Sequence, residues 1–393
     1  MVSLMRFWEG MLIDLGVIPV TRQSERLNVS MVKDQSRKLV FKHISRYGSV
    51  TRSDISRGTG LSHGTVKTLM DEFLKAGLIE EKKDNSPAVG RKPRKVQLRA
   101  DARRIGVLEI APDRLIYSDL NLSLEPVSPP LIATRPSGVK YRTWMEGFLA
   151  RIPVGTLAGI GVVAPGPYRR ETDSVISNLI PGLKQIPLEE TVRGLHNIPV
   201  IIAEDVHLAA LAEAGDSEQP LFYLYLSRGI GGAYLSGNKI LAGAGGLAGE
   251  IGQMIMGDGR RLEESVGWLA AREALGVPGT ISDAEAQEMI LKSLADGQGA
   301  EKTLKVIINR LAKALSHAVC VLNPKTIIIG GAFDFLGSDF SDALETELRS
   351  LLIEAHKSDL KVRLSGSGKR GMILGAGMMI IDRWLETDLG LEN

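Results

Sequence analysis

Three glycine-rich segments are the first candidates for ligand chemistry in this sequence of 393 residues. They are residues 227–232 (SRGIGG), residues 243–249 (GAGGLAG) and the pair Gly330 and Gly331. Glycine accounts for 43 residues, above the usual share of about 7%. Because glycine has no Cβ, the backbone can come close to a ligand there. Each segment follows an apolar run typical of a strand, so the sequence predicts a ligand cleft at strand ends.

A second candidate is the polar face of a helix that begins after Ser62. Apolar residues at Val66, Leu69, Met70, Phe73 and Leu74 have the spacing of an amphipathic helix, which Gly77 ends. The opposite face can approach phosphates and base edges in a major groove. That face and its cap comprise Ser62, His63, Gly64, Thr65, Lys67, Thr68 and Asp71.

The elements around this helix predict a helix-turn-helix. Residues 36–46 predict a helix that Gly48 ends, and Thr51 with Asp54 predicts the capped start of a short helix to about residue 57. Two short helices joined by a glycine-containing turn are typical of a DNA-binding motif. The alternative is an ordinary three-helix bundle with a solvated polar face.

A basic loop follows between two predicted strands, residues 78–82 and 95–98. It contains Arg91, Lys92 and Arg94 beside Gly90 and Pro93, which oppose regular structure at the tip. Such a wing is suited to the DNA backbone or to a narrow minor groove. The alternative is a flexible basic linker.

The net charge of +2 is unevenly distributed. Residues 1–104 contain 21 Lys and Arg against 11 Asp and Glu, whereas the remaining residues contain 27 against 35. A basic first part on an acidic body favours contact with a polyanion through the first part.

Cysteine and hydrophobicity limit the protein class. A single cysteine, Cys320, excludes an intramolecular disulfide and a multi-cysteine zinc site, and its apolar surroundings predict a buried thiol. The apolar run near residues 372–381 is too short to span a bilayer, and residues 1–30 do not resemble a signal peptide. We therefore expect a cytoplasmic protein that does not contact membranes.

From residue 104 on, short apolar runs alternate with helical patterns, which predicts an α/β body. The predicted strands are residues 105–110, 158–163, 200–202, 221–226 and 326–329. The predicted helices are residues 188–195, 206–214, 284–294 and 303–322.

Over residues 31–393 the sequence resembles the ROK family (repressors, open reading frames and sugar kinases). The motifs in the first part are residues 51–56 (TRSDIS), 59–62 (TGLS), 65–66 (TV) and 90–93 (GRKP). Those in the body are residues 165–167 (PGP), 203–205 (AED), 229–232 (GIGG), 246–252 (GLAGEIG), 262–263 (LE), 323–324 (NP) and 330–331 (GG).

The resemblance implies an α/β protein with an N-terminal winged helix-turn-helix followed by a two-lobed, actin-like and hexokinase-type (ribonuclease H-like) ATPase fold. The expected divisions are a leader of unknown role at 1–30, the DNA-binding domain at 31–98 and the sugar-kinase-like domain at 99–393. Family members usually form homodimers or homotetramers, and Arg52 falls within the resembling DNA-binding segment.

The same resemblance assigns site residues. Asp205 matches the general base that accepts the proton of an attacking sugar hydroxyl. Glu250 and Glu263 match carboxylates that hold sugar hydroxyls, and Asn178 matches a sugar-contacting asparagine. Glu204 and Gln253 fall at two further cleft positions. The remnant of a phosphate loop comprises Arg228, Gly229, Gly231 and Gly232. For each residue the alternative is a structural or solvated polar role.

Departures from the kinase pattern lie in both halves of the implied site. The Asp-x-Gly-Gly-Thr phosphate loop is replaced by Glu109, Ile110, Ala111, Pro112 and Asp113. Pro112 has no N–H to donate, and Asp113 would oppose a triphosphate. Arg228 replaces a threonine, a change compatible with either loss or gain of phosphate contact.

On the sugar side, Glu204 replaces an asparagine and Gln253 a zinc-binding histidine. Residues 257–261 (GDGRR) replace the cysteine cluster. The resemblance therefore implies no cofactor: zinc is not expected and ATP is disfavoured.

Three functions remain open from the sequence. The leading one is a transcriptional regulator, favoured as a repressor, that binds a palindromic double-stranded operator and senses a sugar or sugar derivative in a degenerate kinase cleft. The alternative is an active ATP-dependent, glucokinase-like sugar kinase with a DNA-binding module. The third is a body that serves only as an oligomerisation and partner-docking platform. Repression and activation, and release or strengthening of DNA binding by the effector, are all compatible with the sequence.

Overall fold

The computed structural model describes residues 24–82, 94–153, 155, 157–215, 217–237, 239–297 and 299–387. These residues divide into two units. Residues 103–381 form the larger unit, and the residues before 103 together with those after 381 form the smaller one.

Among the described residues, the smaller unit contains three helices and a small sheet. The helices are α1 (Ser24–Tyr47), α2 (Arg52–Thr59) and α3 (His63–Lys75), and the strands are β1 (Val50–Thr51), β2 (Ile79–Lys82) and β3 (Lys95–Leu98). The strands pair antiparallel in the order β1, β3, β2. The helix predicted over residues 36–46 lies inside α1, which begins earlier, at Ser24.

Capping residues define the starts of α2 and α3 as predicted. The Thr51 hydroxyl accepts from the Asp54 N–H at 3.1 Å, and the Asp54 carboxylate accepts from the Thr51 N–H at 3.0 Å. Gly60, with φ of +72°, ends α2 in a left-handed conformation that favours glycine. The buried side chains of this unit include Val40, Ile44, Ile55, Val66, Met70, Phe73, Leu78 and Val96.

The end of the chain belongs to this smaller unit because charged contacts hold it on α1. The Arg37 guanidinium donates to the Thr387 carbonyl at 3.0 Å and also pairs with Glu72. Lys38 Nζ lies 2.8 Å from Glu386 Oε1, and Lys42 Nζ lies 3.6 Å from Asp382 Oδ2.

The larger unit contains two five-stranded sheets with the same strand order and the same strand directions. In each, a three-stranded antiparallel meander is followed by two parallel strands. The first sheet, in order, is β10 (Val200–Glu204), β7 (Leu157–Ala164), β4 (Arg104–Ile110), β5 (Arg114–Asn121) and β6 (Leu131–Thr134). The second is β13 (Lys239–Ile240), β12 (Ile230–Ser236), β11 (Leu221–Leu226), β14 (Thr326–Gly331) and β15 (Lys361–Leu364). A short hairpin consists of β8 (Tyr168–Arg169) and β9 (Ser174–Val175).

Helices alternate with these strands, so the predicted α/β body is confirmed, and each predicted strand and helix overlaps an observed one. The helices are α4 (Tyr141–Leu149), α5 (Leu188–His196), α6 (Asp205–Ala214), α7 (Leu262–Val266), α8 (Trp268–Ala274), α9 (Asp283–Ala295), α10 (Ala300–Leu322), α11 (Gly337–Leu351), α12 (Glu354–Lys357) and α13 (Gly371–Leu385). Within the described part of the chain, no helix combines the length and the apolar content needed to cross a membrane.

The burial pattern of α10 corrects one prediction. Its apolar stripe, which includes Leu311, Leu315 and Val319, is buried in the core. Cys320 is exposed rather than buried. One residue past Val319, the helix has turned by about 100°, which carries the cysteine away from the buried face.

Candidate functional site

The exposed face of α3 has the composition predicted for contact with nucleic acid. The Ser62 hydroxyl caps the helix by accepting from the Thr65 N–H at 3.1 Å, and burial of Val66, Met70 and Phe73 fixes which face points inward. The opposite face is exposed to solvent. It presents His63, Gly64, Thr65, Lys67, Thr68 and Asp71.

Two of the predicted DNA-contacting arginines pair with the same carboxylate. Arg52 Nη2 lies 3.5 Å from Glu81 Oε1 and 3.1 Å from Asp71 Oδ1, and Arg94 Nη1 binds Glu81 Oε2. Arg94 keeps 73% of its side chain exposed. Such exposed pairs are weak, so a phosphate can compete with Glu81 for these arginines. Arg91 and Lys92 lie outside the described residues.

The larger unit brings four predicted cleft carboxylates together as an acidic cluster: Glu204, Asp205, Glu250 and Glu263. Glu204 is the last residue of β10 and only 8% exposed. Asp205 begins α6, and its carboxylate accepts from the Val206 N–H at 2.7 Å.

Burial and mutual repulsion change the charge of this cluster. Burial raises the pKa of Glu204 to about 8, and the negative charges of Asp205 and Glu250 add to this effect. Burial, and to a smaller extent Glu250, raises the pKa of Asp205 to about 6. The pKa of Glu250 is raised by burial and by Glu263. At neutral pH, Glu204 therefore holds a proton and can donate a hydrogen bond, as an asparagine amide would, while Asp205 is mostly ionised.

His207 is a member of this site that the sequence analysis missed. Its Nδ1 atom lies 3.7 Å from Glu204 Oε2, and burial lowers the pKa of the imidazole. Among the described residues, its Nε2 atom has no hydrogen-bond partner. The available signal was the spacing of three residues from Glu204 across the start of a helix, which places the two side chains on one face.

Gln253 positions one carboxylate of the cluster. Its Nε2 donates to Glu263 Oε1 at 2.7 Å. A Cβ at Gly252 would lie 3.2 Å from Glu263 Oε2 and 2.4 Å from the Ile230 carbonyl oxygen, so glycine is required there. The Gln253 amide therefore orients Glu263 through a hydrogen bond at the position where the resemblance placed a zinc-binding histidine.

Residues 257–261, which replace the family's cysteine cluster, are held by ion pairs within the turn and to α10. Asp258 Oδ2 lies 2.9 Å from Arg310 Nη2 and 3.3 Å from Arg260 Nη2. Within the described ranges, no group of three or more His, Cys, Asp or Glu side chains has an arrangement that could hold a metal ion.

The segment that matches the first phosphate loop is a tight turn between β4 and β5. The Ala111 N–H donates to the Arg114 carbonyl at 3.0 Å, so the strands turn directly. Burial raises the pKa of Glu109 at the base of this turn. Burial raises the pKa of Tyr225 to about 12, and three negative charges add to this effect, those of Asp205, Asp334 and Glu109. These three carboxylates therefore lie close enough to Tyr225 to act on its hydroxyl.

Two glycines of the glycine-rich segments 227–232 and 243–249 have a packing role. A Cβ at Gly232 would lie 2.5 Å from Phe222 Cζ, and one at Gly249 would lie 2.0 Å from the Gly232 carbonyl oxygen. Gly231 faces Val206, where a Cβ would make ordinary contact. Arg228 and Gly229 are exposed at the turn. Asn178 is also exposed, and none of the described hydrogen bonds joins it to the acidic cluster.

Comparison with known proteins identifies the family. The model of the ROK family matches residues 148–383, which is more than half of the sequence. The chain belongs to the ROK family. The match confirms the family resemblance stated from the sequence and, with the paired sheets, the sugar-kinase-like fold.

This ROK-family chain is similar to both regulators and kinases, over different lengths. It is 25% identical to a putative xylose repressor of Caldicellulosiruptor sp. (strain Rt8B.4), over 91% of this chain and 98% of that protein. It is 23% identical to a glucokinase of Halalkalibacterium halodurans, over 60% of this chain and 80% of that enzyme.

Among solved structures, the fold resembles a ROK family transcriptional regulator described as a homologue of the Escherichia coli MLC protein. The TM-score is 0.69 at 20% identity, over 91% of this chain and 98% of that one. The likeness to regulators thus extends into the helix-turn-helix unit.

Proposed function

We propose that this protein is a DNA-binding transcriptional regulator, a repressor of sugar-utilisation genes, whose cleft senses a sugar or sugar derivative. The observation that supports this most directly is the exposed polar face of α3 in a unit to which the similarity with a repressor extends. A ROK body joined to such a unit suits cytoplasmic regulation, in which a small molecule controls contact with double-stranded DNA.

On the DNA side, α3 would enter the major groove with Thr65, Lys67 and Thr68 toward the bases and phosphates. Arg52, Arg94 and the basic tip with Arg91 and Lys92 would contact the backbone. A homodimer or homotetramer would present two such helices to a palindromic operator, because half-site symmetry mirrors protein symmetry.

On the sugar side, the acidic cluster supplies acceptors for neighbouring hydroxyls, and protonated Glu204 supplies a donor. Asp205 would contact a sugar hydroxyl directly, with Asn178 as a further contact from its exposed segment. A ligand regulates only if it favours one conformation over another, so the effector must bind the two states with different free energies.

Phosphoryl transfer is disfavoured on the nucleotide side. Pro112 offers no N–H, and Asp113, Glu109 and Asp334 place carboxylates where a kinase needs donors and cations for a triphosphate. We therefore expect no cofactor and no ATP turnover. The alternative, an active sugar kinase, is favoured by the retained Asp205, whose pKa of about 6 suits a general base.

The regulator hypothesis is tested by selecting bound sequences from random DNA at physiological salt, with the full chain. A recovered palindrome is expected, and failure to enrich any sequence would contradict the proposal. Substituting Lys67 or Arg94 with glutamine should weaken binding and reduce the log–log salt slope by about 0.9 for each lost phosphate contact. The matched control, Lys302→Gln, removes an exposed lysine from the larger unit and should change neither quantity.

The enzyme alternative needs a separate test. The same preparation is incubated with ATP and a panel of sugars, and ADP release is compared with a mock-purified control. No sugar-dependent release is expected. Turnover that Asp205→Asn abolishes would establish the kinase. If no sugar alters either turnover or thermal stability, the body serves as a platform, because a ligand of the folded state must stabilise it.

A further inference from the structure

A cavity of about 560 Å³ lies in the larger unit between the start of α4 and the segment 179–186. Arg135, Lys140 and Arg142 line it, and none of the described lining residues is acidic. Burial, and to a smaller extent the charge of Asp113, raises the pKa of Tyr141, so the Asp113 carboxylate lies beside the cavity. Leu179 and Ile180 contribute an apolar wall, and Leu179 is 51% exposed. This basic cavity shares no residue with the acidic cluster, and its charge is of the opposite sign.

Arg135 is held in a fixed position at this cavity. Its Nε and Nη2 atoms donate to the Val139 carbonyl oxygen at 3.2 and 3.0 Å, and the guanidinium lies 5.3 Å from the centre of the Tyr141 ring. The Tyr141 hydroxyl donates to the Ala111 carbonyl oxygen at 2.8 Å. Its ring packs edge-on against Trp144 at 5.2 Å. A guanidinium fixed in this way retains Nη1 for a ligand and loses little entropy on binding.

The other two cations differ in how far they are already neutralised. Arg142 Nε donates to Glu146 Oε1 at 2.8 Å, so part of its charge is compensated. Lys140, in contrast, is exposed and pairs with no carboxylate among the described residues. Arg135 likewise has no carboxylate partner within the described ranges. Positive charge is therefore available on the side of the cavity formed by Arg135 and Lys140.

The first turn of α4 adds backbone donors to the same side. The first helical bond runs from the Trp144 N–H to the Lys140 carbonyl oxygen at 3.1 Å, and no side chain caps the N–H groups before it. The first turn contains no acidic residue. Unpaired N–H groups and the helix dipole favour an anion at this end.

We propose that the basic cavity binds a small organic phosphate, a phosphorylated sugar or a phosphomonoester of similar size. The phosphate would lie against Arg135, Lys140 and the first turn of α4, because clustered charged donors match its oxygens. The organic part would pack on Leu179 and Ile180. The Tyr141 bond to Ala111 connects this site to the turn that replaced the ATP loop. The inference goes beyond the sugar-sensing cleft and needs no residue of it.

The test is calorimetric titration of the full-length protein with glucose 6-phosphate, inorganic phosphate, sulfate and glucose as separate probes. Saturable binding of glucose 6-phosphate is expected, with inorganic phosphate weaker. The double variant Arg135→Gln/Lys140→Gln should lose at least about tenfold in affinity for glucose 6-phosphate, because two charged hydrogen bonds are removed. The matched control, Lys184→Gln, removes an exposed cation on segment 179–186 that does not line the cavity.

Each outcome decides the proposal. Equal affinity in the double variant and the wild type, or equal weak response to sulfate and glucose 6-phosphate, would overturn it. Lys140→Gln alone should lower affinity without affecting folding, since this side chain is exposed. Asp205→Asn should leave glucose 6-phosphate binding intact while it removes sugar binding in the cleft. Loss of both in Asp205→Asn would assign the phosphate compound to the cleft instead.

Discussion

The two five-stranded sheets share one topology, yet their first hairpin turns differ. In the first sheet the turn contains Ala111, Pro112 and Asp113, which offer fewer N–H donors and more negative charge than a phosphate loop needs. In the second sheet the turn, residues 227–229, retains Gly229, and Gly231 and Gly232 follow it in β12. There, Gly232 allows close approach of Phe222 and of the Gly249 carbonyl oxygen. Retained glycines can therefore reflect packing, whereas the altered first turn changes the donors and the charge that a ligand would meet.

The close packing of Gly249 against the second sheet predicts the largest effect, a loss of stability. Gly249 has φ of +101°, and an alanine Cβ there would lie 2.0 Å from the Gly232 carbonyl oxygen. Gly249→Ala should therefore lower the free energy of unfolding by about 2–4 kcal/mol, measured by urea denaturation. Gly257→Ala is the control, because a Cβ at Gly257 meets nothing within 4 Å. A fully stable Gly249→Ala protein would leave ligand binding as the reason for these glycines.

The acidic cluster predicts that the stability of the protein depends on pH through Glu204. The pKa of Glu204 is raised to about 8 from 4.5, so the folded state binds this proton more tightly than the unfolded state. Its contribution to stability is therefore present below pH 4.5 and is lost as pH rises through 8. Glu204→Gln should be more stable than the wild type by about 1–3 kcal/mol at pH 9 and nearly equal at pH 4.

Thermal unfolding across this pH range measures the Glu204 effect, with the exposed Glu288→Gln as control. If the difference between Glu204→Gln and wild type does not change with pH, Glu204 is already ionised in the folded protein. The donor role assigned to it in the cleft would then be wrong.

The contact between Gln253 and Glu263 predicts a smaller loss. Gln253→Ala removes the 2.7 Å hydrogen bond that orients Glu263. Stability should fall by about 1 kcal/mol, and affinity for the effector sugar should fall several-fold because the carboxylate is no longer fixed. Gln253→Glu, which cannot donate as a carboxylate and adds a charge, should be worse than alanine. Equal affinity in all three proteins would show that Glu263 does not contact the sugar.

The turn between β4 and β5 predicts the smallest change, which is a change in ATP binding. Replacing Ala111 and Pro112 with glycine restores backbone freedom and one N–H, but Glu109, Asp113 and Asp334 keep their charges. We expect no measurable ATP binding by calorimetry and no sugar-dependent ADP release. Micromolar ATP affinity in this variant would mean that Ala111 and Pro112 had abolished the phosphate site. The charges of Glu109, Asp113 and Asp334 would then not be what prevents ATP binding.

Sequence patterns predicted the elements with clear apolar stripes or buried runs. Helix α3 and strand β11 lie where the periodicity placed them, because burial of one face or of a whole strand leaves a readable pattern. The start of α1 was missed since residues 24–35 are mostly polar and have no such stripe.

The side chains of the cleft were predicted only through the resemblance, and only in part. Glu250 and Glu263 are far in the sequence from the adjacent pair Glu204 and Asp205, so the electrostatic coupling of the four carboxylates depends on the fold. His207 was missed because a single histidine in a helix is usually structural. The basic cavity was missed for the same reason as the coupling. Its residues come from distant parts of the sequence, and Tyr141 meets Ala111 only after the first sheet and α4 are packed.

If the proposed function is correct, a sugar in the acidic cleft controls DNA binding without being phosphorylated. Fluorescence anisotropy of the selected operator, titrated with each sugar in the absence of ATP, measures this control. We expect one sugar to change the operator affinity of the wild type by at least about tenfold, a typical allosteric coupling. Asp205→Asn should bind the operator normally and lose that response. An equal response in Asp205→Asn, or a response that requires ATP, would show that this cleft does not control DNA binding in this way.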